Sequence, residues 1–266
     1  MSYLDLKLKT PEVFEGTRPN SKVLIISNGN STAGIVDKKN ILKKFFDAII
    51  VVNLGLKYFD DISDFHIVCE KISDTSDNKV FPELNAGKYR LDVPRLFNWK
   101  GIEYYDPKYN IHKITRNRFD GNPDIRHYRK GNSEGLLIGP ASSNNLSLGS
   151  VTLSSMHFAC MLGASEVYLI GADMMFKDES DHFYPDRAYR DGQKQTKAKN
   201  KNHVVEVELN GRTYQSTDYF RDSAKCIDDM IVGPFKDVKV YDFSAGLITK
   251  AIPLKVDDFF VDKSVR

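Results

Sequence analysis

The chain has 266 residues, 41% of them hydrophobic and 28% charged, which is the composition of a folded globular protein and excludes a disordered chain. Its 38 Lys+Arg against 36 Asp+Glu leave a formal net charge of +2, so no overall field points to nucleic acid or to an anionic membrane surface. The three cysteines, Cys69, Cys160 and Cys226, are far apart and form no CxxC, which argues against a disulfide framework or a Cys-based zinc site and favours a reducing cytoplasm.

The opening residues lack an apolar stretch of signal-peptide length, and no uninterrupted apolar run approaches the roughly 20 residues that span a bilayer. The expectation is a cytoplasmic protein with no transmembrane segment; peripheral association with the inner membrane stays open.

The first strong strand is predicted at residues 22–27 (KVLIIS) and ends in Asn28-Gly29-Asn30-Ser31-Thr32, ahead of an amphipathic stretch at 35–46. A continuous apolar strand, as opposed to an alternating one, suits a sheet covered on both faces. Residues 48–52 (AIIVV) read the same way and end at Asn53; 65–69 form a weaker third strand and 135–139 a fourth. Residues 70–134 are rich in aromatic and turn residues and read as a loop-rich insertion.

A helix is expected to open at Leu148-Gly149-Ser150-Val151 and to close at Gly163, followed by a buried strand at 166–170 that ends in Gly171-Ala172-Asp173. Repeated units of this kind predict an α/β protein with a mostly parallel, Rossmann-like sheet flanked by helices. Residues 176–216 form an excursion that is polar and basic at first, with Arg187, Arg190, Lys194, Lys197, Lys199 and Lys201; it is either a solvated surface segment or a lid over a ligand. Its end carries Asn210-Gly211 between two strand-like runs, a strong hairpin signal because both central turn positions favour positive φ. A helix from 217 to about 232 and a strand at 238–242 complete a single domain over residues 1–266.

In an open parallel sheet, ligands bind beyond the carboxyl ends of the strands. Asn28, Gly29, Asn30 and Ser31, then Asn53, then Gly149 and Ser150, and finally Asp173 occupy such ends and are the candidate nucleotide-binding residues. Glycines let backbone N–H groups approach a ligand, and a following helix N-terminus favours phosphate. The first loop is neither GxGxxG nor a Walker motif, so a plain strand–turn–helix connection stays open for it. Asp173 either caps a neighbouring helix or faces a ligand, because an acidic group behind a buried strand is costly to leave unpaired.

His182 and Tyr184 sit in a cluster of carboxylates, an imidazole and a phenol, where His182 can act as a base and Tyr184 can donate to a leaving phosphate. His203 is the second candidate for a titrating group; His66 and His157 read as structural, and His112 and His127 show no partner. No metal-ligand spacing is present.

Three segments carry a family resemblance. Residues 23–31 (VLIISNGNS) resemble the opening strand and loop of bacterial lipooligosaccharide sialyltransferases. Residues 148–151 (LGSV) with 163–173 (GASEVYLIGAD) resemble the helix–strand unit of those enzymes. They are still more similar to the pattern shared by motility-associated (flagellin) glycosyltransferases and the archaeal 6-hydroxymethylpterin pyrophosphokinase-like group. Residues 240–248 are similar to these families' last strand and Ser-rich turn.

The resemblance implies a Rossmann-like domain that binds an activated nucleotide. It places Asn28, Gly29 and Ser31 in the first nucleotide loop, Asn53 at the end of the second strand, Gly149 and Ser150 at the helix start, and Asp173 beside the nucleotide. The stretch matching the sialyltransferases' general-base histidine reads YQSTD (214–218), without histidine, and one phosphate-contacting tyrosine position falls near Met175 and Phe176. His182 or His203 is then left to supply the base.

These readings lead to a glycosyltransferase that moves a sialic-acid-like sugar from a CMP-sugar donor to a hydroxyl of a glycan or protein acceptor. No cofactor is required, Mg²⁺ is optional, no nucleic acid is bound, and a homo-oligomer stays open. The alternatives are a Mg²⁺-dependent diphosphokinase acting from ATP on a small alcohol such as 6-hydroxymethylpterin, with Asp173 and Asp178 or Asp181 holding the metal, and a non-catalytic nucleotide-binding or assembly protein of the same fold.

Overall fold

The structure, a computed structural model, describes residues 11–68, 88–98, 111–114, 150–177, 183, 204–233 and 235–261. It is an α/β Rossmann-like fold. Among the described residues, eight parallel strands form one sheet: β1 (Ser21–Ile26), β2 (Ala48–Val52), β3 (Phe65–Val68), β4 (Arg95–Asn98), β5 (Ile111–Ile114), β6 (Ala164–Ile170), β9 (Lys239–Asp242) and β10 (Ile252–Pro253). β7 (Val204–Leu209) and β8 (Arg212–Thr217) make a separate antiparallel hairpin.

The sheet order is β10-β9-β6-β1-β2-β3-β4-β5. From β1 the chain steps outward through β2, β3, β4 and β5, then returns to the other side of β1 with β6 and continues through β9 and β10. The order therefore reverses between β1 and β6, a switch point of the kind at which open parallel sheets bind ligands.

The continuous apolar strands serve both faces. Val23 and Ile25 of β1 join one core with Ile50, Leu169, Leu153 and Phe158, whereas Leu24 and Ile26 join the other with Ile49, Val51, Ile170 and Phe59. Alternation along an extended chain makes this division unavoidable. The first face is covered by α3 (Val151–Leu162) and α4 (Asp218–Val232), and the second by α1 (Lys39–Phe45), α2 (Leu56–Phe59) and α5 (Val256–Val261).

Local signals set the element ends. Ser150 caps α3 by accepting from the Thr152 N–H, and Gly163 closes it at φ 101°, a left-handed position that suits glycine. Thr217 caps α4 through the Phe220 N–H. In the hairpin turn, Asn210 and Gly211 adopt φ 52° and 72°, as the two-residue loop requires.

One difference from the sequence-based expectation concerns strands. Residues 70–134, expected as a loop-rich insertion, contribute β4 and β5 to the sheet edge. Each is four residues long and rests on pairing with the preceding strand, not on an apolar run of its own. The strand expected at 135–139 lies outside the described residues.

Candidate functional site

The loops after β1 and β6 meet directly at the point where the strand order reverses. The Gly29 N–H donates to the Gly171 carbonyl at 2.8 Å. Ser31 donates to the Asp173 carboxylate from its backbone N–H at 3.3 Å and from its hydroxyl at 3.0 Å, while the same hydroxyl accepts from the Gly171 N–H at 2.9 Å. Glycine is required on both sides: a Cβ on Gly29 would lie 2.0 Å from Asp173 Oδ2, and one on Gly171 would lie 2.1 Å from Thr32 Oγ1. Gly171 also has φ +73°.

The loop after β2 joins this group. A Cβ on Gly55 would fall 2.9 Å from Asn28 Oδ1, so the Asn53–Gly55 turn packs against the Asn28 side chain. Asn28 is buried, and its Oδ1 has no hydrogen-bond partner among the described residues. Nearly all buried polar atoms in folded proteins are satisfied, so an oxygen unpartnered here stands out. The first turn of α3 approaches from below, with Thr152 Oγ1 2.8 Å from Ser27 Oγ.

A further loop, after β9, supports Asp173 from behind. The Leu247 N–H donates to the Asp173 carbonyl at 3.1 Å, and the Ala172 N–H donates to Ser244 Oγ at 2.9 Å. A Cβ on Gly246 would be 2.0 Å from the Asp173 carbonyl oxygen. The Asp228 carboxylate in α4 accepts from the backbone N–H groups of Thr249 and Lys250 and thereby ties the end of this loop to the helix. Asn53, Met174 and Ala245 all have left-handed backbone (φ 43°, 53° and 52°), and all three lie in these carboxyl-end loops. Strained backbone persists only where its surroundings over-determine it, and it gathers at ligand-binding segments.

Two buried carboxyls stand here. Burial pushes Asp173 up to about 6 against the Ser31 hydrogen bonds, which favour the charged form, and exposed Lys177 pulls in the same direction as Ser31. Burial likewise raises Asp242, at the end of β9, to about 7; the neighbouring charges of Asp173 and Asp228 add to that rise, and the Ser244 N–H bond at 2.8 Å opposes it. Burial therefore disfavours the charged form of both acids, which lessens their repulsion of an anionic ligand most on the acid side of neutrality.

Behind Asn53 lies a chain of buried polar groups. His66 Nε2 is 2.9 Å from the Asn53 carbonyl oxygen, and Arg95 Nη1 is 3.4 Å from His66 Nδ1. Both side chains are fully buried. Burial, reinforced by the Arg95 charge, holds His66 down to about 3, so the ring is neutral. His157, in α3, is likewise buried and lowered to about 3 by burial alone.

Asn28, Gly29, Ser31, Asn53 and Asp173 are thus brought together, with Asn30 opening the short 3-10 turn Asn30–Ile35 beside them and Ser150 capping α3. Gly149, His182, Tyr184 and His203 lie outside the described residues, as do Asp178 and Asp181. Phe183, between His182 and Tyr184 in sequence, is described: its N–H donates to the Asn28 carbonyl at 3.1 Å, and its ring packs against Tyr58 at 5.1 Å. The hairpin is tied to the same region, since Ser216 Oγ donates to the Met174 carbonyl and the Phe176 N–H to the Gln215 carbonyl.

Sequence reading did not single out Asp242, Ser244, Thr152 or Arg95 for the site. Asp242 had a usable signal, an acid ending a buried strand as Asp173 nearly does. Among the described residues, no group of three or more His, Cys, Asp or Glu is placed to hold a metal ion, and no helix is long and apolar enough to cross a membrane.

No protein-family model matches the sequence, and no curated protein matches it. Among solved structures, the chain is similar to the MAf glycosyltransferase from Magnetospirillum magneticum AMB-1, with a TM-score of 0.56 and 14% identity over 92% of this chain. The match spans 37% of that protein's chain. At this identity the likeness establishes the shared fold.

Proposed function

We propose that the protein is a glycosyltransferase whose donor is a nucleotide-sugar, specifically a CMP-activated, sialic-acid-like sugar. The observation that carries this reading is the convergence of Asn28, Gly29, Ser31, Asn53 and Asp173 where the strand order reverses, with the buried Asn28 Oδ1 unpartnered among the described residues. The structural similarity to a protein described as a glycosyltransferase supports the reaction class.

In this reading the nucleotide lies across the carboxyl ends of β1, β2 and β6. Its phosphate sits at the start of α3, beside the N-cap Ser150 and the positive end of the helix, where the family resemblance also puts Gly149. An acceptor hydroxyl attacks the anomeric carbon, the bond from that carbon to the phosphate oxygen breaks, and CMP leaves with the electron pair. His182, or failing it His203, takes the hydroxyl proton, and Tyr184 donates to the departing phosphate. The Phe183 N–H bond to the Asn28 carbonyl ties this stretch of sequence to the first loop and supports a role for its neighbours. Basic residues between 187 and 201 close over the anionic donor.

Thermal denaturation with CMP, CDP, UDP, GDP and ATP, each with and without Mg²⁺, tests the reading, because a ligand that binds the native state raises its apparent stability. Metal-independent stabilisation by CMP is the expected result. Stabilisation by ATP only with Mg²⁺ would move the protein to diphosphoryl transfer, and silence across the panel to a binding or assembly role.

A further inference from the structure

The buried pair His66–Arg95 has no part in the reaction outlined above, yet its geometry ends at that site. His66 in β3 and Arg95 in β4 are register partners on adjacent parallel strands. Arg95 is enclosed completely: Nη1 lies 3.4 Å from His66 Nδ1, Nη2 donates to the Arg90 carbonyl, and the Asp60 carboxylate is 3.6 Å from Nη2. On the other side of the ring, His66 Nε2 reaches the carbonyl of Asn53 at 2.9 Å.

Proton bookkeeping fixes the roles. A guanidinium only donates, so His66 Nδ1 must present its lone pair to Arg95. A neutral imidazole with Nδ1 bare carries its hydrogen on Nε2, and that N–H donates to the Asn53 carbonyl. The arrangement is a directed chain, from Asp60 through Arg95 and His66 to the backbone at the end of β2. Its last member is the residue held left-handed at φ 43°. Asparagine tolerates that conformation, but tolerance does not select it.

A fully enclosed guanidinium is expensive to desolvate, and an aliphatic side chain would pair β4 with β3 as well. Such a charge is best understood by what it orients. We propose that Arg95 and His66 are positioning residues of the nucleotide site: Arg95 sets the ring tautomer, and His66 clamps the Asn53 carbonyl so that the Asn53 carboxamide is presented to the nucleotide. The proposal rests on the reading that Asn53 lines a CMP-sugar site.

Two measurements on the full chain test it. Imidazole ¹⁵N resonances of the wild-type protein report the tautomer directly; the expected result is Nε2–H for His66, unprotonated at pH 5, and an Nδ1–H ring overturns the proposal even if every variant misfolds. Calorimetric titration with CMP is the second. His66→Leu, which removes the donor, is expected to weaken binding at least tenfold, whereas His66→Gln, whose terminal amide can donate from the Nε2 position, stays within about threefold. Arg95→Met is expected to weaken CMP at least fivefold and to give a mixture of tautomers. A folded His66→Leu protein that binds CMP like wild type overturns this proposal alone. A wild-type protein that binds no CMP overturns the donor reading and the positioning role with it.

Discussion

Gly29→Ala isolates the contact on which the candidate site depends. Gly29 has φ −67° and ψ 168°, an extended conformation open to any residue, so alanine there incurs no backbone penalty. The cost is steric: the new Cβ would meet Asp173 Oδ2 at 2.0 Å, the Gly171 carbonyl oxygen at 2.6 Å and Asp173 Cγ at 2.9 Å. The carboxylate cannot simply swing away, because Ser31 holds it, and the Gly171 carbonyl is backbone already bonded to the Gly29 N–H. Relief requires the two loops to part by about an ångström, which overpacks the site at about 1–3 kcal/mol and weakens that backbone hydrogen bond by about 1 kcal/mol. Taking about 3 kcal/mol in all, and about 2–4 °C per kcal/mol for a domain of this size, Tm should fall by about 6–12 °C. Gly34→Ala is the internal control: it lies five residues on, is exposed, and a Cβ there meets nothing within 4 Å. It should be neutral or stabilising by up to about 1 kcal/mol. Differential scanning calorimetry of the two variants decides the matter, and equal Tm values for Gly29→Ala and Gly34→Ala would refute the loop-on-loop packing.

Three other outcomes are expected. Ser31→Ala removes the hydroxyl that serves both Asp173 and the Gly171 N–H, so it should cost about 1–3 kcal/mol in chemical denaturation and raise the Asp173 pKa above about 6, read by ¹³C carboxyl titration. Asp242 is raised from 3.8 to about 7 on folding, so the stability it contributes is present below about pH 4 and is lost as pH rises towards 7. The Tm of Asp242→Asn relative to wild type should therefore climb across that window, and a pH-independent difference would contradict the assignment. His157 has the opposite sign: lowered from 6.5 to about 3, it favours the unfolded chain as pH falls below 6.5. His157→Gln should lose less stability than wild type between pH 7 and pH 4.5, measured by urea denaturation.

The central sheet was legible because its signals are local. The runs VLII, AIIVV and VYLI are continuously apolar, and the structure divides each between the two cores. Gly163, Thr217 and Asn210-Gly211 act within a few residues of themselves, and each does what its chemistry dictates. Candidate residues Asn28, Gly29, Ser31 and Asp173 could be found because polar residues that interrupt a buried strand sit at its end. The edge strands were not legible: RLFN carries an arginine in the sheet and IHKI a lysine, and both depend on a ladder with residues far away in sequence. The link from Arg95 through His66 to Asn53 is a matter of register between strands 29 residues apart, which no spacing rule announces. The partnership of Asp173 with the Asp242–Leu247 loop likewise exists only once β9 lies beside β6.

Chemical-shift mapping of the ¹⁵N-labelled chain with CMP tests the central claim most directly. The account predicts that CMP, without added metal, shifts the resonances of Asn28, Gly29, Ser31, Asn53, Ser150 and Asp173 together, and that Asn28→Leu, which removes Oδ1, abolishes the shifts while leaving the spectrum folded. Saturating CMP that leaves those resonances in place, or moves only residues at the amino ends of the strands, would contradict it.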